Sequence, residues 1–258
     1  MIILEYSEGR QNRPAGLKSH ELGLNYLNHR YEFLGKEMRV FIHPKENYFL
    51  FTNLKVMYGT LSRQKGLISI SNKVLPIFLL RDKLFFKKRK KYLIVRNPYE
   101  KIVSFYTHKF VFNKLYTSEN NLKNIKVQNC QRIFFPLLGL SGKEEKKIIG
   151  KRLTELSFED FIKLLPQVYD KDDHLWPQFW AFHIRYKGFP IMPLSYNKVY
   201  LIEKNMNDIR EKLKIDIGIR ANKTYHDSYE KYFSSISYAI VNEIYNKDFL
   251  FFGYGFNM

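Results

Sequence analysis

Short apolar runs separated by turn residues set the rhythm of this chain. The clearest lie at 39–43, at 47–53 ("NYFLFTN"), at 75–80 ("LPIFLL") and at 91–95 ("KYLIV"). Runs of this length, rich in Phe, Ile, Leu and Val, predict strands, and wholly apolar ones predict strands buried on both faces. "KVYLIE" at 198–203 predicts another. Helical patterns sit between and after these runs. "SFEDFIKLL" opens on Ser157 as an N-cap with Asp160 three residues on, gathers Phe158, Phe161, Ile162 and Leu165 on one side, and stops at Pro166. "SYEKYFSSISYAIVNEIYNKDF" places apolar residues at Phe233, Ile236, Ile240 and Ile244, the period of one long amphipathic helix. Strands alternating with helices predict an α/β fold, a mostly parallel central sheet flanked by helices. Residues 1–37 carry no clear period and read as an irregular lead-in.

Composition narrows the class. With 258 residues, 45% of them hydrophobic, and no linker-like stretch, the chain predicts a single domain over 1–258. A formal net charge of +18 favours a polyanionic partner without choosing among nucleic acid, acidic glycan, anionic membrane and a phosphate-rich cofactor. An aromatic content of 17% excludes a disordered basic tail. The block "KKRKK" at 87–91, between two predicted strands, reads as a solvated loop, with a nucleic-acid or membrane contact as the alternative. The lone Cys130 offers neither an intrachain disulfide nor a Cys/His zinc pattern, so a reducing compartment is expected and no metal. "MIILEYSEGRQNRPAG" lacks the pattern of a signal peptide, and no apolar run approaches the ~18 residues that span a bilayer. These features predict a soluble, cytoplasmic protein.

Two places carry chemistry. In "YLIVRNPYEKIVSFYTHKF", residues 92–110, a strand ends in Arg96 and turns at once into a helix capped by Asn97, with Pro98 at its first position. At about 100° per residue, Tyr99, Ile102, Val103, Tyr106 and Phe110 share a core-facing side, and Asn97, Lys101, Ser104 and His108 the other. Arg96 beside the helix N-terminus, with a serine hydroxyl, suits a phosphate; an arginine paired to a carboxylate is the plainer alternative. Upstream, "NYFLFTNLKVMYGTLSR" runs from a strand through Lys55, Gly59 and Thr60 into a helix from Leu61. That is the layout of a phosphate-cradling loop, although no Walker A motif is present.

These segments resemble carbohydrate sulfotransferases that use 3′-phosphoadenosine 5′-phosphosulfate. "VRNPYEKIVSFYTHKF" is similar to their RDPxxRxxSxY segment, and "LKVMYGTLSR" to their PKxxxTS loop. "DDHLWPQ" at 172–178, "YNKVYLIEKNMND" at 196–208 and "EIYNKDFLFFGY" at 243–254 follow in the family's order. The resemblance implies a P-loop-NTPase-like sulfotransferase fold. It implies that Arg96 and Ser104 bind the 3′-phosphate and that Lys55, Tyr58, Gly59, Thr60 and Leu61 bind the 5′-phosphosulfate end. It further implies cofactor-binding units over 38–110, acceptor-side segments over 111–195, a closing strand and helix over 196–258, and a carbohydrate or glycan acceptor. Three positions depart from the pattern: Asn97 for the usual Asp, Leu54 for Pro, and Gly59 where the first Thr belongs.

The expected reaction is in-line sulfuryl transfer to a hydroxyl, releasing 3′-phosphoadenosine 5′-phosphate. Lys55 would neutralise the leaving phosphate oxygen, and a base would deprotonate the acceptor. His174 is the first candidate base, Glu203 the second, and His43 and His108 lesser ones. Trp176, Phe179 and Trp180 either stack on sugar rings or belong to the core. A sulfotransferase-fold binding protein without activity and a basic nucleic-acid-binding protein are the alternatives, although no helix-turn-helix, RRM or finger signature supports the latter.

Overall fold

A computed structural model describes residues 38–71, 75–84, 89–111, 127–186, 189–216 and 228–258. The lead-in expected over 1–37 lies outside these residues, as do Lys87 and Lys88 of the basic block and residues 112–126 of the acceptor-side segment.

In chain order the main elements are β1 (Arg39–His43), β2 (Tyr48–Thr52), α1 (Tyr58–Leu61), β3 (Ile68–Ile70), α2 (Leu75–Leu84), β4 (Lys90–Val95), α3 (Pro98–Tyr106), α4 (Asn129–Arg132), α5 (Lys146–Glu155), α6 (Phe158–Leu164), β5 (His183–Tyr186), β6 (Phe189–Pro193), β7 (Lys198–Leu201), α7 (Ile202–Lys212), α8 (Ser235–Ile244) and α9 (Asn246–Phe252). Five strands form one sheet in the order β3-β1-β2-β4-β7, and β5 with β6 makes a separate hairpin. The fold is mixed α/β, but the sheet is not mostly parallel. β2–β4 and β4–β7 pair parallel, whereas β1 is antiparallel to both β2 and β3. The turn between β1 and β2 leaves no room for a crossover, and antiparallel pairing follows.

Period-2 alternation divides the core between the two faces of the sheet. Phe49, Phe51, Leu93 and Val95 pack on one side with Tyr99, Ile102, Val103 and Phe105 of α3. Tyr48, Leu50, Ile94 and Tyr200 pack on the other with Ile209 and Leu213. Helix α6 forms as expected: Ser157 Oγ accepts the Asp160 N–H at 3.1 Å, and Phe158, Phe161 and Ile162 are buried.

Three sequence expectations need correction. The 75–80 run is helical, within α2, because apolar residues on both its faces erase the helical period. The strand expected over 198–203 ends at Leu201, so Glu203 opens α7. The single long helix is two: Tyr245, at φ −104° and ψ 19°, breaks it between α8 and α9. Of the expected apolar face, Phe233, Ile240 and Ile244 pack partly buried against the core. Tyr238, Val241, Tyr245, Phe249 and Phe252 are buried, whereas Ile236 is 59% exposed. Tyrosines supply apolar area there, and the fully buried Tyr245 donates its hydroxyl to the Leu175 carbonyl.

Among the described residues no helix is long and apolar enough to cross a membrane.

Candidate functional site

The parallel strands β2 and β4 end side by side, Thr52 opposite Ile94, and both segments singled out in the sequence start from that edge. After β2 the chain makes a tight loop. Thr52 Oγ1 donates to the Val56 carbonyl at 2.6 Å, and the Val56 N–H donates to the Asn53 carbonyl at 3.3 Å. Within it Lys55 (φ 67°) and Met57 (φ 55°) are left-handed although neither is glycine, a conformation costing on the order of 1–3 kcal/mol per residue. The fully buried Val56 side chain pins the loop between them. Burial, together with the Lys109 and Arg96 cations, holds the Lys55 ammonium well below the ordinary lysine value.

Helix α1 begins at Tyr58, not at Leu61 as expected. Its first residues, Tyr58 and Gly59, are partly exposed, and Thr60 is 7% exposed. The N–H groups of Thr60 and Leu61 both donate to the Met57 carbonyl at 2.9 Å. Leu61 therefore offers the site nothing, its side chain being fully buried in the core.

Asn97 and Pro98 start α3 as the sequence predicts, with Asn97 Oδ1 accepting the Tyr99 N–H at 2.9 Å. Arg96 reaches back across the edge. Its Nη1 donates to the Lys55 carbonyl at 3.4 Å and its Nη2 to Glu100 Oε2 at 2.9 Å. The plainer alternative, an arginine paired to a carboxylate, is thus present together with the contact that joins the two segments. The opposite face of α3 is less open than the helical wheel implies. Ser104 is 5% exposed, and Lys101, fully buried, donates its Nζ to the Trp176 carbonyl. Burial lowers the Lys101 ammonium to about 8 against the pull of Asp248, Asp173 and Asp172.

Beyond Tyr106 the helix widens into a π-turn, Thr107–Val111. The inserted residue changes which side chains face the strand edge. Lys109 is drawn in and donates its Nζ to Gln128 Oε1, while Gln131 Nε2 donates to its carbonyl at 2.6 Å. His108 is depressed to about 4 by burial and by Lys55, Lys109 and His174. Lys109 and Arg96 thus lie within electrostatic reach of Lys55, and Lys55, Lys109 and His174 within reach of His108.

His174 sits in a carboxylate cradle. Its Nδ1 lies 2.6 Å from Asp172 Oδ1 and 3.3 Å from Asp173 Oδ1, and Arg39 Nη2 donates to Asp173 Oδ2 at 3.0 Å. Burial pushes the Asp172 carboxyl up, but the His174 hydrogen bond and charge outweigh it and leave the group below the usual range. Asp172, Asp173 and His174 each present a ligand atom within 4.8 Å of the others. As arranged, those atoms are spent on one another and on Arg39. His43 is excluded from this site by register, since it pairs with Tyr48 at the far end of β2.

A second tier fixes the strand edge. Gln178 Oε1 accepts the Arg96 N–H at 2.8 Å and Gln178 Nε2 donates to the Arg96 carbonyl at 2.6 Å. Asp248, fully buried, accepts the N–H groups of Gln178 at 2.8 Å and Phe179 at 2.7 Å. Glu203 accepts the Asn97 N–H at 2.8 Å on Oε1 and the Tyr254 hydroxyl at 2.9 Å on Oε2. Trp176, 4% exposed, is core, while Phe179 and Trp180 stay partly exposed.

The residues that sequence reasoning missed are Arg39, Lys109, Gln178 and Asp248. Gln178 and Asp248 lie inside segments singled out by the resemblance, whereas nothing marks Lys109, because a π-turn has no sequence signature.

The sulfotransferase family profile matches residues 61–255, most of the chain, and the protein belongs to that family. No curated protein and no solved structure matches it. The family match begins at Leu61, so the Lys55 loop lies just ahead of it.

Proposed function

We propose that this protein transfers a sulfuryl group from 3′-phosphoadenosine 5′-phosphosulfate to a hydroxyl of a carbohydrate or glycan acceptor. Family membership supports the reaction class. The observation that carries the choice of donor is the convergence of Lys55, Arg96 and Lys109 at one strand edge. Burial depresses the Lys55 ammonium most, and Lys109 and Arg96 add a repulsion that a polyanion relieves. The tight loop after β2 and the short helix α1 act as a P-loop-like cradle for the 5′-phosphosulfate end, with Lys55, Tyr58, Gly59 and Thr60 as its residues. Arg96 and Ser104 take the 3′-phosphate. The donor, once bound, supplies an activated sulfuryl group on a phosphate leaving group.

The chain's own residues then have distinct work. Lys55 neutralises the negative charge growing on the leaving phosphate oxygen. His174 is the base: Asp172 at Nδ1 fixes the tautomer whose Nε2 accepts the acceptor's proton, and the paired acids stabilise the imidazolium. His108 is poorly matched to that task, because a value of about 4 makes it a weak proton acceptor. Glu203, with both oxygens engaged, holds the turn after β4 and serves as a positioning residue.

Arg96→Ala is expected to weaken binding of 3′-phosphoadenosine 5′-phosphate by about 1.5–3 kcal/mol, the range for hydrogen bonds to charged groups. Calorimetry checks it, and unchanged affinity removes Arg96 from the donor site. His174→Ala should lower turnover about a hundred- to ten-thousandfold while leaving that affinity intact. Wild-type transfer of labelled sulfate by the variant would refute the base assignment. The whole reading is tested by titrating the bisphosphate against ATP: selective binding followed by sulfate transfer supports it. Binding with no transfer to any acceptor tried would mark a binding protein on this fold.

A further inference from the structure

Helix α2 is apolar on two opposite faces, and only one of them meets the protein. Leu75 and Asp82 are buried, and Phe78 and Leu79 pack on the larger core, so this i, i+3, i+4, i+7 set faces inward. Ile77, Leu80, Arg81 and Leu84 repeat the same spacing on the outer face. Ile77 is 66% exposed, Leu80 57% and Leu84 64%. Single exposed aliphatic residues are ordinary, but three aligned along one helix face form a stripe that water disfavours.

The sequence that carries the stripe is strongly cationic. From Arg81 to Lys91 the sequence holds seven cations and one acid, Asp82. That acid does not reach the surface: its two oxygens accept Arg89 Nη1 at 2.7 and 2.9 Å on the inward side. Arg81 lies with its guanidinium 4.8 Å from the Phe78 ring centre, at the rim of the stripe, and Lys90 is exposed at the start of β4.

We propose that the outer face of α2 is a docking surface for an anionic lipid bilayer. Ile77, Leu80 and Leu84 enter the acyl boundary, while Arg81 and Lys90 meet the headgroups. Aliphatic residues beside unopposed positive charge suit such an interface. A soluble polyanion would use the cations and leave the stripe wet. A second copy of this chain would bring like charges together across the contact. The helix has 10 residues, too few to span a bilayer, so it lies along the surface. This inference does not depend on the reaction proposed above.

The test is sedimentation of the full chain with phosphatidylcholine vesicles, with and without phosphatidylserine. The protein should pellet with the anionic vesicles only, and less so as salt rises. The combined variant Ile77→Ser, Leu80→Ser, Leu84→Ser should weaken that binding by more than roughly tenfold, and Arg81→Glu with Lys90→Glu by about tenfold or more. These side chains point outward, so thermal midpoints should stay at the wild-type value. Failure to bind anionic vesicles overturns the proposal. So does full binding by the serine variant, which would reduce the effect to charge. A concentration-dependent dimer that the serine variant abolishes, without vesicle binding, would assign the face to a second copy instead.

Discussion

Replacing Lys55 by methionine is expected to lower turnover about a hundred- to a thousandfold, the loss that follows removal of one preorganised donor to charge developing in a transition state. Methionine keeps an unbranched chain one atom shorter and fits the same half-buried position, so the effect is chiefly that of the lost ammonium. The loop makes this charge costly to hold. Lys55 is left-handed, is half-buried, and stands beside two further cations. A residue kept against conformational strain, desolvation and repulsion together is selected for something other than stability. Lys55→Gly should therefore separate the two demands: glycine removes the left-handed strain, so the thermal midpoint should rise while transfer is lost. The depressed ammonium also sets a pH dependence. Anion binding needs the protonated form, so affinity for the bisphosphate should be fullest below the lowered Lys55 value and fall as pH rises through it, short of 10.5. In Lys55→Met that slope should vanish. Steady-state transfer with labelled donor and calorimetry across pH measure both. Near-wild-type turnover in Lys55→Met would remove Lys55 from the chemistry.

Sequence patterns carried the site further than they carried the sheet. β1, β2, β4 and β7 were legible because each carries a short apolar run, and α3 because Asn97 and Pro98 announce its start. The direction of β1 was also readable, since a turn as short as Pro44–Asn47 cannot hold a parallel crossover. β5 and β6 were not, because Pro190 and Pro193 argue against a strand and the register is irregular at Ile184 and Arg185. α2 was lost for the physical reason that makes it interesting, an outer face as apolar as its inner one. In the site, Lys55, Arg96 and His174 stood in recognisable segments. Arg39 did not, since its partner Asp173 is 134 residues away, and no local pattern encodes a pair formed only by folding. The wheel did not single out Lys109, which lies in a π-turn that shifts every later residue by one position. It failed at Lys101 because a buried lysine looks like a solvent-facing one until its partners are known.

Asp248→Ala is expected to destabilise the protein by about 3 kcal/mol and to weaken donor binding as well, because one buried carboxylate supports both. It stands at the start of a chain of contacts: Asp248 holds the Gln178 and Phe179 N–H groups, and Gln178 in turn holds the N–H and carbonyl of Arg96. Alanine leaves two buried donors without partners, each costing about 1–3 kcal/mol. It also frees the Gln178 backbone, so the amide that fixes Arg96 loses its mount. Burial holds the Asp248 carboxyl above the usual range even with Lys101 opposing it, and both backbone N–H groups rest on its two acceptor oxygens. Asp248→Asn keeps one of them and should recover part of the stability. Gln178→Ala should divide the effects the other way. It leaves Asp248 holding both backbone N–H groups, so stability should fall less, while affinity for the bisphosphate should drop about tenfold as Arg96 loses its backbone clamp. Urea unfolding and calorimetry on the three variants distinguish these outcomes. If Asp248→Ala unfolds at the wild-type midpoint, or if Gln178→Ala binds the bisphosphate with full affinity, the contact chain from α9 to Arg96 does not position the donor site.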